Sequence, residues 1–168
     1  MSVSTIQVER LTVISKQPFE TVISSLESAV GRPDLPTFLG GLKSAASLLE
    51  IEQLVARSVS ELGLMIFLKF DTSSIFRLEP GFEQRKAQRF LIGNPLVMMD
   101  MAKHVPEAIG YAPITVLVDE RQDGVYLGYD KMASLSAPYG SEAALSVAQK
   151  LDEKVEKLMR DAAEGIQR

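Results

Sequence analysis

The residues best suited to chemistry in this 168-residue chain are the triplet Gly93-Asn94-Pro95, the pair Lys69 and Asp71, and a single histidine, His104. A Gly-Asn-Pro triplet ahead of an apolar helical stretch brings the chain to a helix N-terminus. There, unpaired N–H groups and the helix dipole favour an anion such as phosphate or carboxylate. The same three residues can equally supply a turn, a capping side chain and a first-turn proline with no ligand involved. Lys69 and Asp71 are two residues apart, so in a strand they share one face. Ionisable groups in so apolar a strand either acquire shifted pKa values useful for acid and base work or lie just beyond the core. His104 offers a proton shuttle or an axial ligand beside Met98, Met99 and Met101, although methionines at that spacing also serve as core filler.

The composition narrows these options. The chain has no cysteine and one histidine, which removes thiolate nucleophiles, disulfides, cysteine-ligated zinc or iron–sulfur clusters and sites built from several imidazoles. No metal or other cofactor is expected. A net charge of −4 argues against non-specific binding to nucleic acid or to an anionic membrane. The first residues lack the basic, apolar and small-residue regions of a secretory signal, and no apolar run approaches the ~20 residues that span a bilayer. A cytoplasmic location is therefore expected. Arg77, Arg85, Lys86 and Arg89 form a small basic cluster, but Glu79 and Glu83 lie within it, which reads as a solvated edge strand. Tyr111, Tyr126 and Tyr129 suit a pocket mouth, a dimer interface or plain core packing.

The elements that must position these groups follow from periodicity. Thr5 to Ile14 reads as a strand whose apolar residues change phase, which a bulge near Glu9 and Arg10 would explain. Ser15 and Pro18 then suit the start of a helix carrying Phe19, Val22, Ile23, Leu26, Ala29 and Val30, and Gly31-Arg32-Pro33 ends it. Between 31 and 60, Phe38, Leu42, Ala45 and Leu49 make one helical stripe while Ile51, Leu54, Val55, Ser58 and Leu62 make another out of register. One bent helix or two short ones fit, and Gly40, Gly41, Ser44 and Ser47 permit close helix approach. Residues 63–71 read as a strand near the sheet centre, because both faces are apolar until Lys69. Residues 85–92 read as a strand with its polar end at a sheet edge. A helix from Leu96 to His104 follows, with Met98, Met101 and Ala102 facing inward. Residues 112–119 and 125–130 pair as a hairpin, with Asp123-Gly124 in a longer loop. Ala144, Val147, Ala148, Leu151, Val155, Leu158, Met159 and Ala162 form the stripe of a final helix.

The hairpin argues against a doubly wound fold, which needs strand and helix to alternate throughout. The expectation is a single α+β domain over 1–168, a two-layer sandwich with one mixed or antiparallel sheet of about five strands and helices on one face. Phe-Leu-Lys-Phe-Asp at 67–71 and Phe-Leu-Ile-Gly-Asn-Pro at 90–95, with Met98 and Met99 after it, carry a resemblance. Ala-Pro-Ile-Thr-Val-Leu-Val at 112–118 and the strand at 125–130 add to it. These segments resemble the domain-of-unknown-function family 302, which implies an α+β architecture and homodimers and carries no established reaction. Many members place a histidine after the aspartate that ends the central strand, whereas Thr72 follows Asp71 here, so no role for an Asp-His pair transfers. Residues 31–60 look like a helical insertion.

Three readings stay open at this stage. The first is a homodimeric module that binds a small, possibly anionic ligand near Gly93 and Asn94, with Lys69 and Asp71. The second is an enzyme using Asp71, Lys69 or His104 as acid and base. The third is a structural or regulatory dimer without a ligand.

Overall fold

The computed structural model describes residues 3–82 and 84–167, so Glu83 of the basic cluster lies outside the described residues. Strands β1 (Arg10–Ser15), β2 (Met65–Asp71), β3 (Ala87–Gly93), β4 (Ile114–Arg121) and β5 (Gly124–Asp130) form one antiparallel sheet in the order β1-β5-β4-β3-β2. Between and after them lie α1 (Phe19–Ser28), α2 (Leu35–Ser44), α3 (Leu48–Ser58), α4 (Ser73–Phe76), α5 (Pro95–Ala102), α6 (Met132–Ser136) and α7 (Glu142–Glu164). Short 3-10 turns at Pro106–Tyr111 and Ala137–Tyr139 complete the chain. This is the α+β fold with a five-stranded antiparallel sheet that the sequence predicts. The helices are not confined to one face, however, because α2 and α3 pack on the other face at β2. Among the described residues, no helix is long and apolar enough to cross a membrane.

Alternation in the strands sets the two faces of the sheet. Leu11 and Val13 of β1, Val125, Leu127 and Tyr129 of β5, Ile114, Val116 and Val118 of β4, and Phe90 and Ile92 of β3 point into one core. Helices α1 and α7 close over that face. Helix α1 buries Phe19, Val22, Ile23 and Leu26 at three- and four-residue steps, each contributing roughly 1.5–3 kcal/mol. Helix α7 buries Ala144, Ala148, Leu151, Val155, Leu158, Met159 and Ala162 as one stripe. It ends at Gly165, whose φ of 77° lets its N–H reach the last helical carbonyls. Among the described residues, no helix lies over β1, β5 and β4 on the opposite face of the sheet.

Helices α2 and α3 are two short helices rather than one bent one. Asp34 and Ser47 cap them, each accepting a backbone N–H in the first turn. They enclose a second, smaller core of Phe38, Val55 and Met65, with Phe67 and Leu96 packed against it. A Cβ on Gly41 would sit 2.8 Å from Leu54 Cδ2, so this glycine is what lets the two helices approach closely. Gly40 faces open space.

Several local expectations change. Strand β1 begins at Arg10 and pairs with β5 in unbroken register, so there is no bulge at Glu9 and Arg10. The phase change in the sequence arises because Ile6 and Val8 precede the strand. Ser15 does not cap α1. Its hydroxyl accepts from Gln17 N–H and donates to the carbonyl of Ala163, tying the end of β1 to α7. Strand β2 is an edge strand, not a central one. Both of its faces are apolar because the main core covers one and the α2–α3 pair covers the start of the other. The bulge lies here, at Phe67, where Ile66 pairs with Ile92 and Leu68 with Leu91. Strand β3 is paired on both sides, so Arg89 sits inside the sheet, and Arg85 and Lys86 precede the strand. The β4–β5 hairpin closes with Arg121 opposite Gly124, a two-residue turn rather than a longer loop. Helix α5 stops at Ala102, and His104 lies beyond it.

Candidate functional site

The triplet at 93–95 is a helix cap in full. The Asn94 side-chain oxygen accepts the N–H of Leu96 at 2.8 Å, its amide nitrogen donates to the carbonyl of Gly63 at 2.9 Å, and Pro95 opens α5. Asn94 thus fastens the helix to the entry of β2, and both ends of its amide are used. Gly93 is buried and lies against Pro113 and Phe67.

Lys69 and Asp71 lie at the other end of the same strand pair. Lys69 stands opposite Phe90 and Asp71 opposite Gln88, whereas Gly93 stands opposite Met65. At about 3.4 Å per residue, Gly93 is roughly 10 Å from the Lys69 row and 17 Å from the Asp71 row. Lys69 Nζ pairs with Glu27 of α1 at 2.5 Å and lies over the Phe90 ring. Asp71 is exposed and accepts the N–H of Ser73 at 2.9 Å, a local turn contact. His104 is exposed, and its backbone N–H donates to Met101. Met101 is fully buried in the main core, as a filler residue would be. The fold therefore does not bring Gly93, Asn94, Lys69, Asp71 and His104 together. Among the described residues, no group of three or more His, Asp or Glu side chains is placed to hold a metal ion.

A different site is assembled on the open face of the sheet. There a groove of about 590 Å³ runs across β1, β5, β4 and β3. Register fixes its floor: Arg89, Leu117, Gly128 and Thr12 stand in one row across β3, β4, β5 and β1, and Phe70 of β2 continues that row outside the groove. Gly128 leaves that row without a side chain, and a Cβ built there would meet nothing within 4 Å. The hollow above Gly128 is thus lined by Leu117 and Thr12, with Leu91 and Thr115 in the neighbouring row. Pro113 and Tyr111 wall one end. The Tyr111 hydroxyl meets that of Tyr139 at 2.7 Å, and this hydrogen bond is the first cause of a Tyr139 pKa pushed up to about 12.

The polar groups of the groove are mostly paired. Arg10 grips Asp130 with two hydrogen bonds of 2.6 and 2.8 Å, which holds the Asp130 carboxyl below its ordinary range. Asp119 is nearly buried and lies between Arg121 at 3.0 Å and Arg85 at 3.3 Å. Arg121 stacks on Tyr126, and Arg85 on Phe76 of α4, so the carboxylate anchors the 72–86 segment to the sheet. Arg89 is the exception. Its guanidinium has one hydrogen-bond partner among the described residues, the hydroxyl of Thr115 at 3.3 Å, and no carboxylate. The sequence assigned Arg89 to a solvated edge. Alternation along 87–91 was the available signal that it shares a face with Leu91, but nothing in the sequence says that this face is bare.

A model of the domain of unknown function DUF302 matches residues 41–162. The chain belongs to this family. Its fold is similar to the crystal structure of an uncharacterized conserved DUF302 protein from Bacillus stearothermophilus, with a TM-score of 0.63 at 10% identity over 91% of this chain and 97% of that one. At that identity the likeness speaks for the fold alone. No curated protein matches the chain.

A second buried polar cluster sits on the other side of the sheet and was missed by the sequence reading. Asp152, in the buried stripe of α7, accepts the Tyr129 hydroxyl at 2.6 Å and the N–H groups of Met132 and Ala133 at 2.8 and 3.0 Å. It caps α6 from another helix. Burial first, and then the Asp152 charge, push the Tyr129 phenol well above its usual pKa. A carboxylate three residues before Val155 and four after Ala148, inside an apolar stripe, was the signal.

Proposed function

We propose that this DUF302 member is a non-catalytic module that binds a small ligand on the open face of its sheet and works as a homodimer. The hollow over Gly128 carries the reading. A strand position at the middle of an exposed sheet face is kept empty, with Leu117 and Thr12 beside it across the strands and Tyr126 and Asp130 along its own. An arginine without a carboxylate partner among the described residues stands two strands away in the same row. The volume suits a small molecule, for which pockets of roughly 300–1,000 Å³ are usual. The acid–base alternative has less support, because Lys69 is bound to Glu27, Asp71 is held in a turn and His104 faces solvent.

Support for self-association comes from β2. Beyond the bridge between Gly31 and Met65, its outer edge has no strand partner among the described residues, and Leu68 and Phe70 are about half exposed on it. An edge of this kind is a template for pairing with a second copy. The ligand reading is tested by screening small molecules for thermal stabilisation of the wild type and of Gly128→Trp, which fills the hollow. A ligand that stabilises the wild type and not the variant supports the reading, and equal stabilisation of both refutes it. Sedimentation at micromolar concentration checks the dimer, which a species of 18.4 kDa alone would exclude.

A further inference from the structure

We infer that the ligand is an apolar monocarboxylate, its carboxylate held by the Arg89 guanidinium and its body laid over Leu91, Leu117 and the Gly128 hollow; this rests on the groove being the binding site. Charge selects the anion. The residues lining the groove include three arginines, Arg10, Arg89 and Arg121, against two aspartates, Asp119 and Asp130, on a chain whose net charge is −4. Arg10 is taken by Asp130, and Arg121 shares Asp119 with Arg85, so Arg89 is the groove arginine with no carboxylate partner among the described residues. One guanidinium fork matches one carboxylate in a two-point hydrogen bond. A dianion such as a phosphate monoester would bring its second charge toward Asp130 and Asp119, whose arginines Arg10, Arg121 and Arg85 are already engaged.

Apolar contact selects the rest of the molecule. Leu117 is 40% exposed although it stands in the middle strand of the sheet. It lies directly between Arg89 and Gly128 in the same row. Strands are about 4.8 Å apart, so a molecule anchored at Arg89 must cross Leu117 within roughly 5 Å to reach the hollow some 10 Å away. A chain or ring of six to ten carbons spans that distance. Thr115 and the paired Arg10 and Asp130 lie in the row beside the path and Thr12 closes its far end, so a polar substituent or water is tolerated there.

Calorimetry of the wild type, Arg89→Gln and Gly128→Trp with decanoate, decanol and decyl phosphate tests this. The expected result is that decanoate binds the wild type at least tenfold more tightly than decanol or decyl phosphate does. Arg89→Gln should lose that preference while still binding decanol as the wild type does, and Gly128→Trp should lose all binding. Equal binding of decanoate and decanol by the wild type, with both lost in Gly128→Trp, overturns the carboxylate inference and leaves the groove in place. Decanoate binding that survives Gly128→Trp overturns the groove itself. No binding of any probe to the wild type refutes the inference, as does tighter binding of decyl phosphate. Conversion of a wild-type dimer to a monomer by Arg89→Gln would mean that a second copy covers this face, and would also refute it. Arg89 is exposed, so the fold of Arg89→Gln is checked simply by its melting temperature.

Discussion

Removing the Asp152 carboxylate should be among the most damaging single side-chain changes in this domain. The residue lies in the middle of α7 yet serves α6. Its Oδ1 accepts the Tyr129 hydroxyl and the Met132 N–H, and its Oδ2 accepts the Ala133 N–H, at 2.6, 2.8 and 3.0 Å. Lys131, at the N-cap position of α6, makes no side-chain cap of its own, so the first turn of that helix depends on Asp152. Asp152→Ala removes the carboxylate acceptor from all three donors. Each buried unsatisfied donor costs about 1–3 kcal/mol. Water can relieve the partly exposed Ala133 N–H, and Met132 N–H keeps its 3.1 Å contact with the Tyr129 oxygen. The net loss should be about 3–5 kcal/mol, a fall of roughly 6–20 °C in melting temperature for a domain of this length. Asp152→Asn keeps the Oδ1 acceptor and turns an amide N–H toward that of Ala133, so it should cost about 1–3 kcal/mol. Urea unfolding with a shared m-value measures both. Tyr129→Phe should cost about 1 kcal/mol alone, and the double variant with Asp152→Ala should show a coupling of about 0.5–3 kcal/mol. An Asp152→Ala protein that melts within about 2 °C of the wild type, or strictly additive single effects, would refute this account of the cluster.

Asn94→Ala should cost about 0.5–2 kcal/mol by thermal unfolding, because it deletes both the cap of α5 and its link to Gly63. Gly31→Ala places a Cβ 1.9 Å from the backbone oxygen of Ser58. The α3 terminus must shift, and urea unfolding should show a loss of about 1–3 kcal/mol or more. The Asp130 carboxyl should titrate below its ordinary 3.8, chiefly through its hydrogen bonds to Arg10. Its folded pKa is depressed, so the pair's contribution is complete above the unfolded value and disappears as pH falls through the folded one. In Arg10→Gln, an NMR titration of Asp130 should return toward 3.8, and the acid-side loss of stability from this residue should vanish.

What the sequence determined by itself was local and periodic. The apolar stripes of α1 and α7 repeat every three or four residues over more than two turns, and a helix so patterned has one face to bury whatever covers it. Gly93-Asn94-Pro95 was legible as a cap for the same reason: the hydrogen bond from Leu96 to Asn94 closes within three residues. The two-strand hairpin at 114–130 needed only its alternation and the Asp123-Gly124 signal, though not its loop length. Tertiary structure alone decided which surfaces meet. An apolar strand such as β2 reads the same whether strands flank it on both sides or a helix pair covers one face, so its edge position was hidden. Gly93 and Lys69 looked like one site because they belong to neighbouring strands, but antiparallel register sends them to opposite ends. Arg89 and Gly128 are separated by 39 positions in sequence and two strands in space, and only pairing through Leu117 sets them in a row. The helices all choose the other face of the sheet at this point, and that choice is a balance of burial over the whole chain, which no local pattern records.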